Sequence, residues 1–321
     1  MVKIKPTMYK PGSEKAPRRP DVIEHYKGTA GVSAAEGEPA DAPVKLLDAL
    51  FAHMPQRKRT TVKDFLRLGQ VKVNGTVVTR HDTPVTADTV IDVNTSRQWQ
   101  TFSNPRIKIV YEDDDILVVN KGYGLLSVGT GKINDGTAYA ILRDYLKRQD
   151  PRNKIFVVHR LDQHTSGLMM FAKSVEAKEA MQHNWNNMVL ERNYAAVVEG
   201  RLEETEGTQR SFLAENVQHM VYSTTPETPG AKEAVTHWKK VRARGGYTLL
   251  DVSLDTGRKN QIRVHMHDLG HPIAGDRKYG AKTSPIHRLA LHARTLRFIH
   301  PVTRRDMRFE IPLPASFSKL V

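Results

Sequence analysis

Asp162 sits in the run HRLDQHTSG (159–167), immediately before the apolar stretch LMMFA. A loop between two apolar strands holds a side chain at a sheet edge with little freedom. With a cation beside it, such a carboxylate stays ionised and can serve as a nucleophile or a base. A structural ion pair with Arg160 or another basic residue accounts for the same residues equally well. A second cluster, TGRKNQIRVHMHDLGHPIAGD (256–276), reads as a strand and then a loop. Alternation along QIRVH puts Gln261, Arg263 and His265 on one face and Ile262 and Val264 on the other. Arg263 then needs an anion or water, and the turn-rich GHPIAGDRKYG supplies a pocket wall.

Three other motifs fail on their own terms. SVGTGK (127–132) lacks the glycine at 126 and the Ser or Thr at 133 that a phosphate loop needs; Leu126 and Ile133 stand there. HRLD has the look of a kinase catalytic loop, but no G-x-G-x-x-G precedes it and no D-F-G follows. His265, His267 and His271 lack an evident ligand shell, so no metal site is expected. A hydrolase built on His159 and Asp162 would lack a Ser or Cys nucleophile motif.

The elements that must position these residues follow from composition and periodicity. The 321 residues include 49 Lys and Arg against 35 acids and no cysteine. That excess points to a polyanionic partner, and the absence of cysteine rules out disulfides and thiolate metal sites. No apolar run approaches the roughly 18–20 residues of a membrane span. The N-terminus has no secretory core, so a cytoplasmic protein is expected. Residues 1–41 are rich in Pro, Gly, Ala and charge without a period, and read as a mobile tail.

From Val44 the texture changes. VKLLDALFAHM has helical spacing, Thr60 or Thr61 is placed to cap a second helix ending at Gly69, and VKVNGTVV alternates around Asn-Gly, a hairpin signal. This segment, 42–100, is similar to the S4 RNA-binding domain. The matching basic residues are Arg57, Lys58, Arg59, Lys63, Arg67 and Lys72, for which RNA contact is expected over a merely solvated helix face. A linker over 94–105 leads into the large part, 101–321. Short strands in hairpin succession with few helices there predict an α+β fold: a mainly antiparallel mixed sheet with flanking helices, beside the small α/β domain.

Four motifs in order carry a family resemblance: HRLDQHTSGLMMFAK; YAAVVEG; LDTGRKNQIRVHMHDLGHPIAGDRKYG; and LALHARTLRFIHPVT ending in FEIPLP. Together they resemble the RluA-type pseudouridine synthases over roughly 107–314, with the S4-like module upstream as in members acting on large-subunit ribosomal RNA. The resemblance implies the pseudouridine synthase fold and the isomerisation of uridine in RNA, with ribosomal RNA the expected substrate and transfer RNA the alternative. No cofactor or metal is implied, and a monomer is expected. A catalytically idle RNA-binding protein would not need the residues that match the catalytic motifs.

By that match Asp162 is the catalytic aspartate and Arg263 pairs with it. Tyr194 stacks on the uracil, Leu291 lines its pocket, and Arg160 enters the space left by the extruded base. The chain departs from the family pattern in three places. Lys259-Asn260 replaces Thr-His, Gly122-Tyr123-Gly124 replaces the usual proline turn after Asn-Lys, and Gln163-His164 follows the aspartate where a base and an acid are frequent.

Overall fold

The computed structural model describes residues 22–28, 42–96, 99, 102–129 and 135–321, and its contacts divide the chain into two units at Thr101/Phe102. In the first unit, β1 (Ile23–Lys27) and β2 (Val44–Lys45) precede α1 (Leu46–His53) and α2 (Arg59–Arg67). β3 (Val71–Val73), β4 (Thr76–Val77), β5 (Pro84–Val85) and β6 (Val90–Asn94) follow. Asn74 and Gly75 both take positive φ, 47° and 79°, the backbone that a two-residue hairpin between β3 and β4 requires. Leu46, Leu50, Val62, Leu66, Ile91 and Val93 form the core.

Two expectations change here. α2 starts at Arg59 with Lys58 as its N-cap residue and no side-chain cap, so neither threonine caps it. Ile23–Lys27 lies inside the segment expected to be a mobile tail, yet it pairs antiparallel with β6 along its whole length. IEHYK has no hydrophobic period to announce a strand. The open edge of β6 supplies its hydrogen bonds, and Tyr26 packs against the core and stacks on His53. Of residues 1–41 only 22–28 are among the described residues.

The second unit opens with the hairpin of β7 (Ile107–Glu112) and β8 (Ile116–Lys121), whose turn is closed by Asp113 Oδ1 accepting from the Asp115 and Ile116 N–H groups. α3 (Ala138–Gln149), β9 (Phe156–Val157), β10 (Ser166–Ala172) and α4 (Val175–Met188) come next. They are followed by β11 (Val189–Glu199), β12 (Glu206–Glu215), β13 (Val221–Thr224), β14 (Lys232–Arg244) and β15 (Tyr247–Leu254). The chain ends with α5 (Gln261–Asp268), β16 (Leu291–Ile299), β17 (Asp306–Glu310) and α6 (Ala315–Leu320). One sheet runs β13-β12-β14-β15-β11-β16-β10-β8-β7, with β9 and β17 added to β10 and β16. Every pairing is antiparallel except β10 with β16.

That parallel seam positions the site. All seven residues of β10 are buried, as a central strand with both faces covered must be. Gly167, with φ 119°, lies where a Cβ would collide with the backbone of Ala293. Glycine alone lets β10 close on β16 directly below the Asp162 loop.

QIRVHM is the main correction, because it forms the first turns of α5 and not a strand. Gln261 through Met266 are all buried. Burial on every side erases the polar face that would separate a helical from a two-residue period over so short a run. Asn260 reverses the chain before the helix in the left-handed region, at φ 55°, which Asn tolerates better than most residues.

Candidate active site

The loop between β9 and β10 is held by its backbone. Ser127 Oγ donates to Leu161 O (2.6 Å) and accepts from the Leu161 N–H (3.2 Å). On the other side of Asp162, the fully buried Lys121 donates from Nζ to the carbonyls of Gln163, Leu125 and Gly122 at 3.2, 2.8 and 3.1 Å. Thr165 N–H closes the turn on Asp162 O at 3.1 Å. Asp162 is thus fixed by the residues on either side of it, while its own carboxylate accepts no hydrogen bond among the described residues. Loss of water pushes that carboxyl above the ordinary range, although Arg263, Arg160, Lys121 and Lys259 all pull it back. Burial also pulls the Lys121 ammonium down, to about 7.

Arg263 comes from α5 and is committed elsewhere. Its Nε and Nη2 make a two-pronged pair with Asp276, both at 2.7 Å, and Nη1 donates to Asn260 Oδ1 at 3.0 Å. Tyr279 lies under the guanidinium, 4.7 Å from ring centre to Cζ, and its hydroxyl accepts from Asn260 Nδ2 at 3.0 Å. Asp162 Oδ2 stands 3.9 Å from Nη1, close enough for charge attraction but too far for a hydrogen bond. The expected pairing of Arg263 with Asp162 is therefore a field contact. Asp276, buried in the turn-rich stretch, is the true partner.

The entry to α5 is equally ordered. Gln261 Oε1 accepts from Thr256 Oγ1 and the Arg258 N–H, and its Nε2 donates to Val235 O and Thr236 Oγ1. A Cβ on Gly257 would lie 2.5 Å from Arg192 Nη1, so glycine lets that arginine lie against the loop. His265, shown by α5 not to share a strand face with Arg263, is buried with its two ring nitrogens against Thr236 Oγ1 and Ser211 Oγ.

These elements enclose a cavity of about 340 Å³ whose wall includes Arg160, Asp162, Tyr194, Arg263 and Leu291. The five come from four separate stretches of sequence, Arg160 and Asp162 sharing one loop. A register shift in the β11–β16 pairing between Asn193 and Tyr194 gives the ring its own aim. Burial first, and Asp162 beside it, push the Tyr194 phenol upward against the opposing charge of Arg192. The ring therefore faces the cavity as a neutral phenol. Arg160 is exposed at the mouth, and Leu291 is a buried β16 side chain.

Comparison with known proteins decides the family. The RNA pseudouridylate synthase family matches residues 115–268. The chain is 38% identical to the uncharacterised RNA pseudouridine synthase YjbO of Bacillus subtilis, over 67% of this chain and 75% of that one. It is 33% identical to the ribosomal large subunit pseudouridine synthase D of Xylella fastidiosa, over 91% and 92%. This chain belongs to the RNA pseudouridine synthase family. Human RNA pseudouridylate synthase domain containing 1 shares its fold, with a TM-score of 0.53 and 25% identity over 68% of this chain and 90% of that one. As a pseudouridine synthase it acts on RNA, and among the described residues no helix is long and apolar enough to cross a membrane.

In the first unit of this synthase, Arg59, Lys63 and Arg67 fall at i, i+4 and i+8 on the exposed face of α2, next to exposed Lys58. Three of the six expected RNA contacts are less free, Arg67 among them through its ion pair with Asp64 at 2.9 Å. Arg57 is half-buried against Glu24, and Lys72 lies 4.0 Å over the Trp99 ring. Arg59 stacks on Phe51 at 3.8 Å while remaining exposed.

Sequence reasoning missed Asp276, Lys121 and Ser127. GDRKYG reads only as a turn. Lys121 sits at the end of a strand, where a lysine ordinarily reaches water. Nothing local announces that Ser127 lies beneath a loop more than thirty residues away.

Proposed function

We propose that this synthase isomerises uridines of large-subunit ribosomal RNA with Asp162 as its catalytic carboxylate. The convergence of Asp162, Tyr194, Arg263 and Leu291 on one cavity carries this reading. The N1–C1′ bond breaks, the uracil turns, C5 joins C1′, and the proton lost from C5 is balanced by one gained at N1. Atoms and electrons are conserved, so the reaction needs no oxidant, metal or nucleotide.

Asp162 meets the sugar, raised in basicity by its dry surroundings, while Arg263 holds a positive field beside it. Tyr194 stacks on the uracil as a neutral ring, and its raised pKa argues against a ready phenolate base. Leu291 supplies apolar lining. Arg160, free at the mouth, takes the place vacated by the extruded base, offsetting an unstacking cost of a few kcal/mol. Exposed Lys58, Arg59, Lys63 and Arg67, together with Arg57 and Lys72, bind RNA phosphates in an S4-like unit. The assignment to ribosomal RNA is supported by the name of the Xylella relative, which spans nearly the whole chain. The domain reading is an RNA-binding unit over 42–100 to which the paired strand Ile23–Lys27 is added, and a catalytic unit over 101–321, acting as a monomer in the cytoplasm.

The test is a map of pseudouridines across total RNA with and without this protein. Sites appearing in large-subunit ribosomal RNA and lost with Asp162→Asn support the reading. Sites confined to transfer RNA overturn the substrate, and sites that persist with Asp162→Asn overturn the catalyst.

A further inference from the structure

Two of the loops in which this chain departs from its family pattern meet beside Asp162. Tyr123, on the turn after β8, is 38% exposed, and exposed His164 stands two residues past Asp162. Their rings lie 5.2 Å apart, tilted by 38°. The guanidinium of Arg288 sits 5.0 Å from the Tyr123 ring centre. It is held there by Nη2 donating to Ser166 Oγ (2.5 Å), by Nε donating to Leu289 O (3.2 Å), and by the Phe317 ring at 5.3 Å.

The two loops are tied together and do not drift independently. Lys121 Nζ bonds Gly122 O and Leu125 O on one and Gln163 O on the other, and Gln163 Nε2 reaches back to Gly124 O at 3.3 Å. Gly122 seats the Tyr123 turn against the start of β7: its N–H donates to Arg106 O at 2.6 Å, and a Cβ there would overlap that carbonyl. The result is a pair of exposed aromatic rings, one on the turn after β8 and one on the loop that carries Asp162, backed by a fixed cation and anchored by a buried ammonium.

We propose that Tyr123 and His164 form a stacking platform for the base of a nucleotide flanking the target uridine. Extruding a uridine removes a stacking partner from both of its neighbours; Arg160 fills the vacated place itself, and an aromatic pair beside the Asp162 loop offers a flanking base a new stacking surface. Base–aromatic stacking tolerates any base because each has a π face, and a nearby guanidinium strengthens it. Asp162 and Arg263 do the chemistry, whereas this platform sets which RNA context is held best. A flanking purine, with its larger ring, gains more than a pyrimidine. The inference rests on the location of the active site proposed above.

The experiment uses the full chain and an RNA oligonucleotide spanning a uridine mapped as above, with an abasic nucleotide placed in turn at each of the two positions on either side. Tyr123→Ala and His164→Ala are expected to raise KM about tenfold or more while kcat stays within about twofold, and Tyr123→Phe should restore the wild-type KM. One abasic position should weaken the wild-type enzyme by a similar factor and leave Tyr123→Ala no weaker than it already is. An unchanged KM in Tyr123→Ala, or equal losses from every abasic position in wild type and variant, overturns the platform. Asp162→Asn in the same assay separates the two readings. Turnover by that variant sinks the catalytic assignment, whereas its binding of the abasic series reports on the platform alone.

Discussion

The two segments that build the cavity are held in opposite ways. The Asp162 loop is clamped through backbone groups by Ser127 and Lys121, and its carboxylate accepts no hydrogen bond among the described residues. At the start of α5, side chains do the holding: Arg263 spends its donors on Asp276 and Asn260 and offers Asp162 only its charge at 3.9 Å. A carboxylate saturated with hydrogen bonds is a weak base, because each bond to the charged form lowers its pKa. Fixing the loop by its backbone therefore gives Asp162 position without loss of basicity. The guanidinium, which stays protonated throughout and has only to supply charge, can be immobilised completely.

Breaking this asymmetry should produce graded effects. Asp162→Asn removes the free carboxylate and should reduce kcat by about a thousandfold or more, with folding unchanged by denaturant titration; measurable turnover near the wild-type rate would remove Asp162 from the chemistry. Asp276→Asn strands the buried guanidinium and should cost about 3–5 kcal/mol of stability in urea unfolding. A loss below about 1 kcal/mol would mean that Arg263 finds another partner without strain. Lys121→Met leaves three carbonyls without their donor, for an expected loss of about 2–4 kcal/mol.

The gentlest test concerns Asn260, which combines a left-handed backbone with two side-chain bonds. Asn260→Ala should cost about 1–2 kcal/mol, and Asn260→Gly should recover only the backbone share. The pH profile sharpens the same contrast. With Asp162 as the proposed catalytic carboxylate, activity requires its ionised form; its pKa is raised by burial, so the acid limb of kcat should lie above the ordinary aspartate value of about 3.9. Any residual activity of Lys121→Met should show that limb displaced to still higher pH, because the lost ammonium favoured the charged carboxylate. A shift to lower pH would show that Lys121 does not act on Asp162 through charge.

The amino-acid sequence by itself determined the strand texture of the second unit, the Asn74-Gly75 hairpin and the motif order that marked Asp162, Tyr194, Arg263 and Leu291. Those signals are local: two-residue periods, turn chemistry and short motifs survive without knowledge of the fold. Three features had to wait for the tertiary structure. QIRVH alternates like a strand but forms a helix, because Gln261 to Met266 are covered on all sides and no polar stripe distinguishes the periods. IEHYK became a strand only because β6 had an edge to pair. Asp276 captured Arg263 across thirteen residues, and Ser127 reached Leu161 across thirty-four. Which polar group satisfies a buried partner depends on where the chain brings distant segments together, and that is set by the packing of the whole sheet and not by the residues nearby.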